Sequence, residues 1–277
     1  MLKLMYVTNI PEVAAIAQDA GVDRIMVDME YIGKANRQGQ LNTPQNHHTF
    51  GDIENIRRIL DKTQLVVRCN PIHEGIEDYP DSQEETERII NLGADIIMLP
   101  YFKSADEVRK HISYVNGRAK VYLLVETAQA VDNLDEILEI PGIDEIHIGL
   151  NDLGICYHKR FLFEVLADGT VDAICSRIRQ KGIPYGFGGI GMPGGSMIPA
   201  EKLICEHYRL QSTRSILSRA FCNTEKIKDL DVIKNIFETG IRKIRAVELE
   251  CMTGEIDFVE NKSLVQQMVA DIVSGIF

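Results

Sequence analysis

The chain has 277 residues, of which 45% are hydrophobic and 26% charged, and its formal net charge is −11. That balance fits a globular protein with a substantial core and argues against a nucleic-acid partner, because an acidic surface repels phosphate. No run approaches the roughly 18 apolar residues of a membrane span. None of the six cysteines forms a C-x-x-C pair, and the opening Leu2-Lys3-Leu4-Met5-Tyr6-Val7 reads as a strand, not a signal peptide. The expectation is a cytoplasmic protein with reduced thiols.

In chain order, β-rich runs alternate with amphipathic ones. Strands are expected at 4–8, 24–29, 65–69, 96–99, 121–125, 145–148, 185–188 and 213–217. Helices are expected at 11–20, 52–60, 82–92, 104–115, 133–140, 171–181 and 199–208. Ser82 with Glu85, and Ser104 with Glu107, carry capping-box spacing, and Gly21, Gly93 and Gly182 stand where helix C-caps belong. One long polar stretch, 31–51, separates strand two from its helix, and a loop of that length in a compact domain is functional or disordered. Two more helical stretches, 229–247 and 262–276, follow strand eight. Alternation predicts parallel strands with right-handed crossovers, and eight strands predict an α/β fold, the (β/α)8 TIM barrel. No composition break divides the chain. Residues 1–277 are read as one barrel domain, with 229–277 a C-terminal helical extension that either caps the barrel or reaches a neighbouring subunit.

Barrel chemistry sits at the carboxyl ends of strands. There the sequence places Asp28-Met29-Glu30 after strand two, Arg68 at the end of strand three, Glu126 after Val121-Tyr122-Leu123-Leu124-Val125, and Asn151-Asp152 after strand six. Strands five and six are neighbours, so Glu126 and Asp152 should share one mouth. Two carboxylates without a Cys or His pair suit a hard cation, Mg2+ or Mn2+. The pattern alone leaves this level with a plainer reading: Glu126 in a structural ion pair and Asp152 as a helix cap.

The stretch Val125-Glu126-Thr127-Ala128-Gln129-Ala130-Val131-Asp132-Asn133-Leu134-Asp135-Glu136-Ile137, then Pro141-Gly142-Ile143-Asp144 and Ile148-Gly149-Leu150-Asn151-Asp152-Leu153, resembles the HpcH/HpaI aldolase and citrate lyase family. Asp28-Met29-Glu30, Val67-Arg68 and Gly93-Ala94-Asp95-Ile96-Ile97-Met98-Leu99-Pro100 extend the resemblance, which spans about residues 1–220. It implies a (β/α)8 barrel with Mg2+ or Mn2+ at Glu126 and Asp152 and with Arg68 facing the substrate. The implied enzyme is a metal-dependent carbon–carbon lyase, an aldolase that joins or releases a pyruvate enolate from a 2-oxo acid and an aldehyde. On this reading Asp28 and Glu30 order water around the ion. Resemblance and the extra helices together lean towards a homo-oligomer.

One departure stands out. Aldolases of this family that act on hydroxy-acid or sugar-acid substrates tend to carry His directly after the D-x-E of strand two, and here that place is Tyr31. The expanded loop behind it offers His47 and His48 as replacement bases, beside water at the metal, and Lys34 and Arg37 as contacts for an anionic substrate group. The run from Gly186 to Ser196 contains G-x-G-x-x-G. It fits the loop after strand seven, where Gly188 and Gly189 would contact substrate, better than a dinucleotide fingerprint, and a plain turn stands equally open. His147 is read as a packed barrel residue. The alternatives kept are a citrate-lyase-like lyase or hydrolase of a CoA thioester, and a non-catalytic metabolite-binding barrel.

Overall fold

The computed structural model describes residues 1–34, 46–76 and 78–276. Eight strands run β1 (Lys3–Val7), β2 (Arg24–Asp28), β3 (Gln64–Arg68), β4 (Ile96–Leu99), β5 (Lys120–Val125), β6 (Glu145–Ile148), β7 (Tyr185–Ile190) and β8 (Arg214–Leu217). They close into a barrel in chain order, every neighbouring pair parallel, with β8 returning to β1. The expected (β/α)8 architecture is therefore present, and strand bounds differ from the sequence reading by one or two residues.

Helices cover the barrel: α1 (Pro11–Asp19), α2 (Phe50–Ile59), α3 (Ser82–Asn91), α4 (Ala105–Val115), α5 (Ala128–Asp132), α6 (Leu134–Leu138), α7 (Leu150–Cys156), α8 (Glu164–Ala167), α9 (Thr170–Gln180) and α10 (Ala200–Arg209). Ser104 and Glu107 form the expected capping box. The other expected box is absent. Asp81 caps α3, and Glu85 turns inward instead, where it accepts from the Asn70 backbone and side chain and from the Tyr79 hydroxyl. Spacing alone cannot tell a first-turn glutamate that folds back from one that is buried. Gly21, Gly93 and Gly182 all have positive φ, as helix C-caps require.

Strand period divides the core in two. Met5, Met26, Val66, Ile96, Met98, Tyr122 and Leu124 pack inside the barrel, and the alternate residues meet the helices. Below this interior layer lies a buried charge cluster. Arg24 grips both Glu145 oxygens at 2.6 and 2.8 Å, and Arg214 Nε adds a third bond at 2.6 Å. Burial raises the pKa of Glu145, but the hydrogen bonds from Arg24 and Arg214 outweigh it and hold the group at about 2.

Two further helices, α11 (Leu230–Thr253) and α12 (Phe258–Ser274), form the C-terminal extension. The fully buried Glu248 of α11 accepts from the Leu2 N–H, Tyr208 and Arg245, which ties the extension to the start of β1. All six cysteines are free. Among the described residues no helix is long and apolar enough to cross a membrane.

Glu145→Ala should strand two buried guanidinium groups and lower unfolding stability by about 3–5 kcal/mol, read by denaturant titration. The folded pKa of Glu145 lies below its usual 4.5, so its contribution is complete above 4.5 and declines as pH falls towards about 2. An acid titration of wild type should lose more stability in that window than the variant does.

Candidate active site

The carboxyl ends of the strands surround a cavity of about 650 Å3 to which all eight contribute. Its polar side chains reach it by strand register. Arg68 follows Val66 by two residues and Glu126 follows Leu124, so each continues its strand's interior row one step beyond the apolar layer; Asp28 follows Met26 in the same way but is fully buried behind Arg68.

One wall is a charge cluster. Asp28 and Arg68 face each other in the β2–β3 register, and Arg68 Nε and Nη2 both bond the Asp28 carboxylate at 2.7 Å. Arg68 Nη1 lies 3.4 Å from Glu30, and Lys34 Nζ lies 3.3 Å from both Asp28 and Glu30. Asn46 donates to Asp28 at 2.8 Å. Burial works against the ionised form of Asp28, but the Arg68 charge beside it prevails and holds the carboxyl well below the usual carboxylate range. The same pairing outweighs burial at Arg68 and keeps it fully charged. Asp28 and Glu30 thus hold Arg68 and Lys34.

The other wall carries Glu126 and Asp152, buried at 4% and 5% exposure. A Glu126 oxygen accepts from the Tyr101 N–H at 3.0 Å, where the chain leaves β4 with Tyr101 in the left-handed region. Gly149 gives the glutamate its space, since a Cβ there would fall 2.6 Å from Glu126 Oε2 and 2.8 Å from Glu126 Cβ. Asp152 sits in the first turn of α7, which starts from Gly149 without a side-chain cap, so Asp152 is not the helix cap of the plainer reading. Among the described residues no three His, Cys, Asp or Glu side chains group as a complete ligand set. Two hard oxygen donors on one cavity wall fit an ion that takes its other ligands from water and substrate.

The remaining expectations divide. Lys34, Gly188 and Gly189 line the cavity, and Arg37 lies outside the described residues. The glycine run begins inside strand β7, up to Ile190, and continues from Gly191 to Ser196 as the expected loop; Gly186 lets the Arg214 carbonyl approach to 2.4 Å of where a Cβ would stand, so it serves sheet packing. His147 is buried as expected, but polar-bonded, to the Tyr122 hydroxyl and the Gly188 carbonyl, and it forms part of the cavity floor. His47 is exposed beside Tyr31 and off the cavity. His48 lines the cavity, and its Nδ1 accepts the Asp28 backbone N–H at 2.9 Å. Burial lowers its pKa, with Arg68 and Lys34 adding to this against Asp28 and Asp52. The sequence offered no signal for Asn46, which reaches Asp28 from eighteen residues further along the chain.

Residues 3–157 match the family model described as HpcH/HpaI aldolase/citrate lyase. The chain is 22% identical over 200 residues to the 2-dehydro-3,6-dideoxy-6-sulfogluconate aldolase of Pseudomonas putida, covering 61% of this chain and 70% of that one. It is 24% identical over 190 residues to the hydroxypyruvate/pyruvate aldolase of Roseovarius nubinhibens, covering 64% and 73%. Its fold matches the crystal structure of an HpcH/HpaI aldolase/citrate lyase family protein from Burkholderia cenocepacia J2315, with TM-score 0.60, 14% identity and coverage of 84% and 95%.

Gly149→Ala forces the new methyl against Glu126. The expected result is a loss of about 1–3 kcal/mol in stability, checked by denaturant midpoint, with Glu126 displaced in a crystal structure of the variant.

Proposed function

The chain belongs to the HpcH/HpaI aldolase/citrate lyase family, and from that premise we propose that it is a divalent-metal-dependent aldolase. It makes or cleaves a carbon–carbon bond between a pyruvate enolate and an aldehyde. The observation that carries this reading is the pairing of two buried carboxylates, Glu126 and Asp152, with a clamped Arg68 around one cavity. Glu126 and Asp152 would hold Mg2+ or Mn2+, which supplies Lewis acidity to the carboxylate and keto oxygens of a 2-oxo acid when bound.

The chain's own residues do the rest. Arg68 has five N–H donors, and its carboxylate partners leave some of them for a substrate oxygen that becomes negative as the enolate forms. Because Asp28 fixes the guanidinium in advance, little reorganisation is needed when charge develops. Lys34 adds positive potential on the same wall. The apolar floor of Met26, Met98 and Leu124 limits water around the reacting carbons. We further read the protein as cytoplasmic and as a homo-oligomer, the latter supported by the exposed Leu249, Met252 and Val259 on its two C-terminal helices.

In D2O with Mn2+, the protein should exchange the methyl protons of pyruvate, observed by NMR without any knowledge of the aldehyde. Chelation, Glu126→Gln or Asp152→Asn should each lower that rate by about 10³-fold or more with the fold intact by circular dichroism. Arg68→Ala should lower it by about 10²-fold. Undiminished exchange in excess chelator would remove the metal from the reading.

A further inference from the structure

His48 sits immediately before Thr49, whose side chain forms a capping box with Asp52 at the start of α2. That cap fixes where the backbone enters the helix and so where the imidazole can reach. The ring turns towards β2, and its Nδ1 accepts the Asp28 backbone N–H at 2.9 Å. A nitrogen that accepts an N–H carries no proton of its own. In the neutral ring the proton is therefore on Nε2, and both lone-pair positions are spoken for: Nδ1 by the peptide N–H, Nε2 by its own hydrogen. The arrangement of a histidine base is the reverse, with Nδ1–H donated to an orienting acceptor and Nε2 bare.

The charged groups facing the ring agree with this. Asp28 of β2 could have been the orienting carboxylate, but its oxygens are taken by Arg68, Lys34 and Asn46. Asp52 of α2 is engaged by Thr49 and Asn9. Arg68 of β3 and Lys34, after β2, are cations that oppose a positive imidazole, and burial opposes it more.

Position in the barrel assigns the partner. Glu126 and Asp152 follow β5 and β6, across the mouth from β2, with Arg68 at β3 between. A 2-oxo acid bound beside Glu126, Asp152 and Arg68 would leave the β1–β2–β8 side of the cavity for the aldehyde. On that side stand His48, Asn9 and Ser218.

Resting on the pyruvate-enolate reading, we propose that His48 is a fixed-tautomer hydrogen-bond donor to the aldehyde oxygen and does not move the proton of the pyruvate methyl. As the enolate carbon bonds to the aldehyde carbon, the carbonyl π pair moves onto oxygen. The Nε2–H stabilises that oxygen and keeps its hydrogen, and the alkoxide is protonated by water. His48 is thus a catalytic residue of the addition half alone.

The test separates the two halves. Pyruvate methyl exchange in D2O with Mn2+ reports enolisation, and addition to the best acceptor from a panel of two- to four-carbon aldehydes reports bond formation. His48→Ala should leave exchange within about 3-fold of wild type and lower addition by about 10²-fold, the loss typical of one oxyanion donor. His48→Gln keeps an N–H donor and should recover part of the addition rate, and it carries the test if the alanine variant does not fold. The pH profile of exchange should be the same in wild type and variants. Loss of exchange in both variants, or disappearance of an ionisation from the exchange profile, would make His48 the base and overturn the proposal. Exchange by wild type without addition to any aldehyde would overturn it too. Absence of exchange in wild type would instead remove the enolate reading beneath it.

Discussion

The Asp28–Arg68 pair is the contact on which the site depends. Two strands meet in register at their last residues, and both side chains continue an inward row that has just left the apolar layer. A guanidinium there, with 17% of its side chain exposed, stays charged and would be costly to bury without a partner. A fully buried carboxylate could not remain ionised alone. Each makes the other tenable, and the bidentate geometry fixes the guanidinium plane. Removing one partner of such a pair costs about 3–5 kcal/mol, because the other is left charged in a poor solvent.

Everything on the β2–β3 wall is arranged around that pair. Lys34 and Glu30 extend it into a four-charge cluster, and Asn46 closes the remaining side of Asp28. The Asp28 peptide N–H takes the imidazole of His48. Behind it, Asn70 receives the N–H groups of Tyr31 and Ile32 and is itself held by the buried Glu85. The described residues on either side of 35–45 are therefore tied to the ends of β2 and β3. The opposite wall is built differently. It depends on a missing side chain, since Gly149 leaves room for Glu126, and on a left-handed Tyr101 whose N–H meets the same carboxylate. A charge-balanced wall that turns its cations, Arg68 and Lys34, to the cavity thus faces one that carries two carboxylates, which suits a cation and an anionic substrate held between them.

A third layer stabilises without taking part. Arg24, Glu145 and Arg214 close the amino-terminal end of the barrel, one apolar layer below the cavity. Glu248 fastens the C-terminal helices to the first strand. In a (β/α)8 fold the bottom of the barrel carries stability and the top carries chemistry, and the charges of this protein divide accordingly.

The period-two rows and the placing of Gly, Pro, Ser and Asp at element ends were readable in the chain, because strand and helix geometry act over a few residues. From them followed eight strands, their parallel order, and the arrival of Asp28, Arg68, Glu126 and Asp152 at one mouth. Other features needed the closed barrel. Glu85 kept capping-box spacing while pairing instead with Asn70, and the first half of a glycine run that looked like a loop was a strand packed against β8. His47 and His48 are adjacent and chemically alike in sequence, yet one faces solvent and the other accepts a hydrogen bond from Asp28. The sequence by itself determined the frame and which side chains reach the mouth, since those depend on local backbone repeat. Only the tertiary structure decided which charges pair, which nitrogen of His48 carries its proton, and how Arg68 is held. The Asp28–Arg68 and Asp28–His48 contacts depend on distances between residues twenty or more positions apart, which no local pattern encodes.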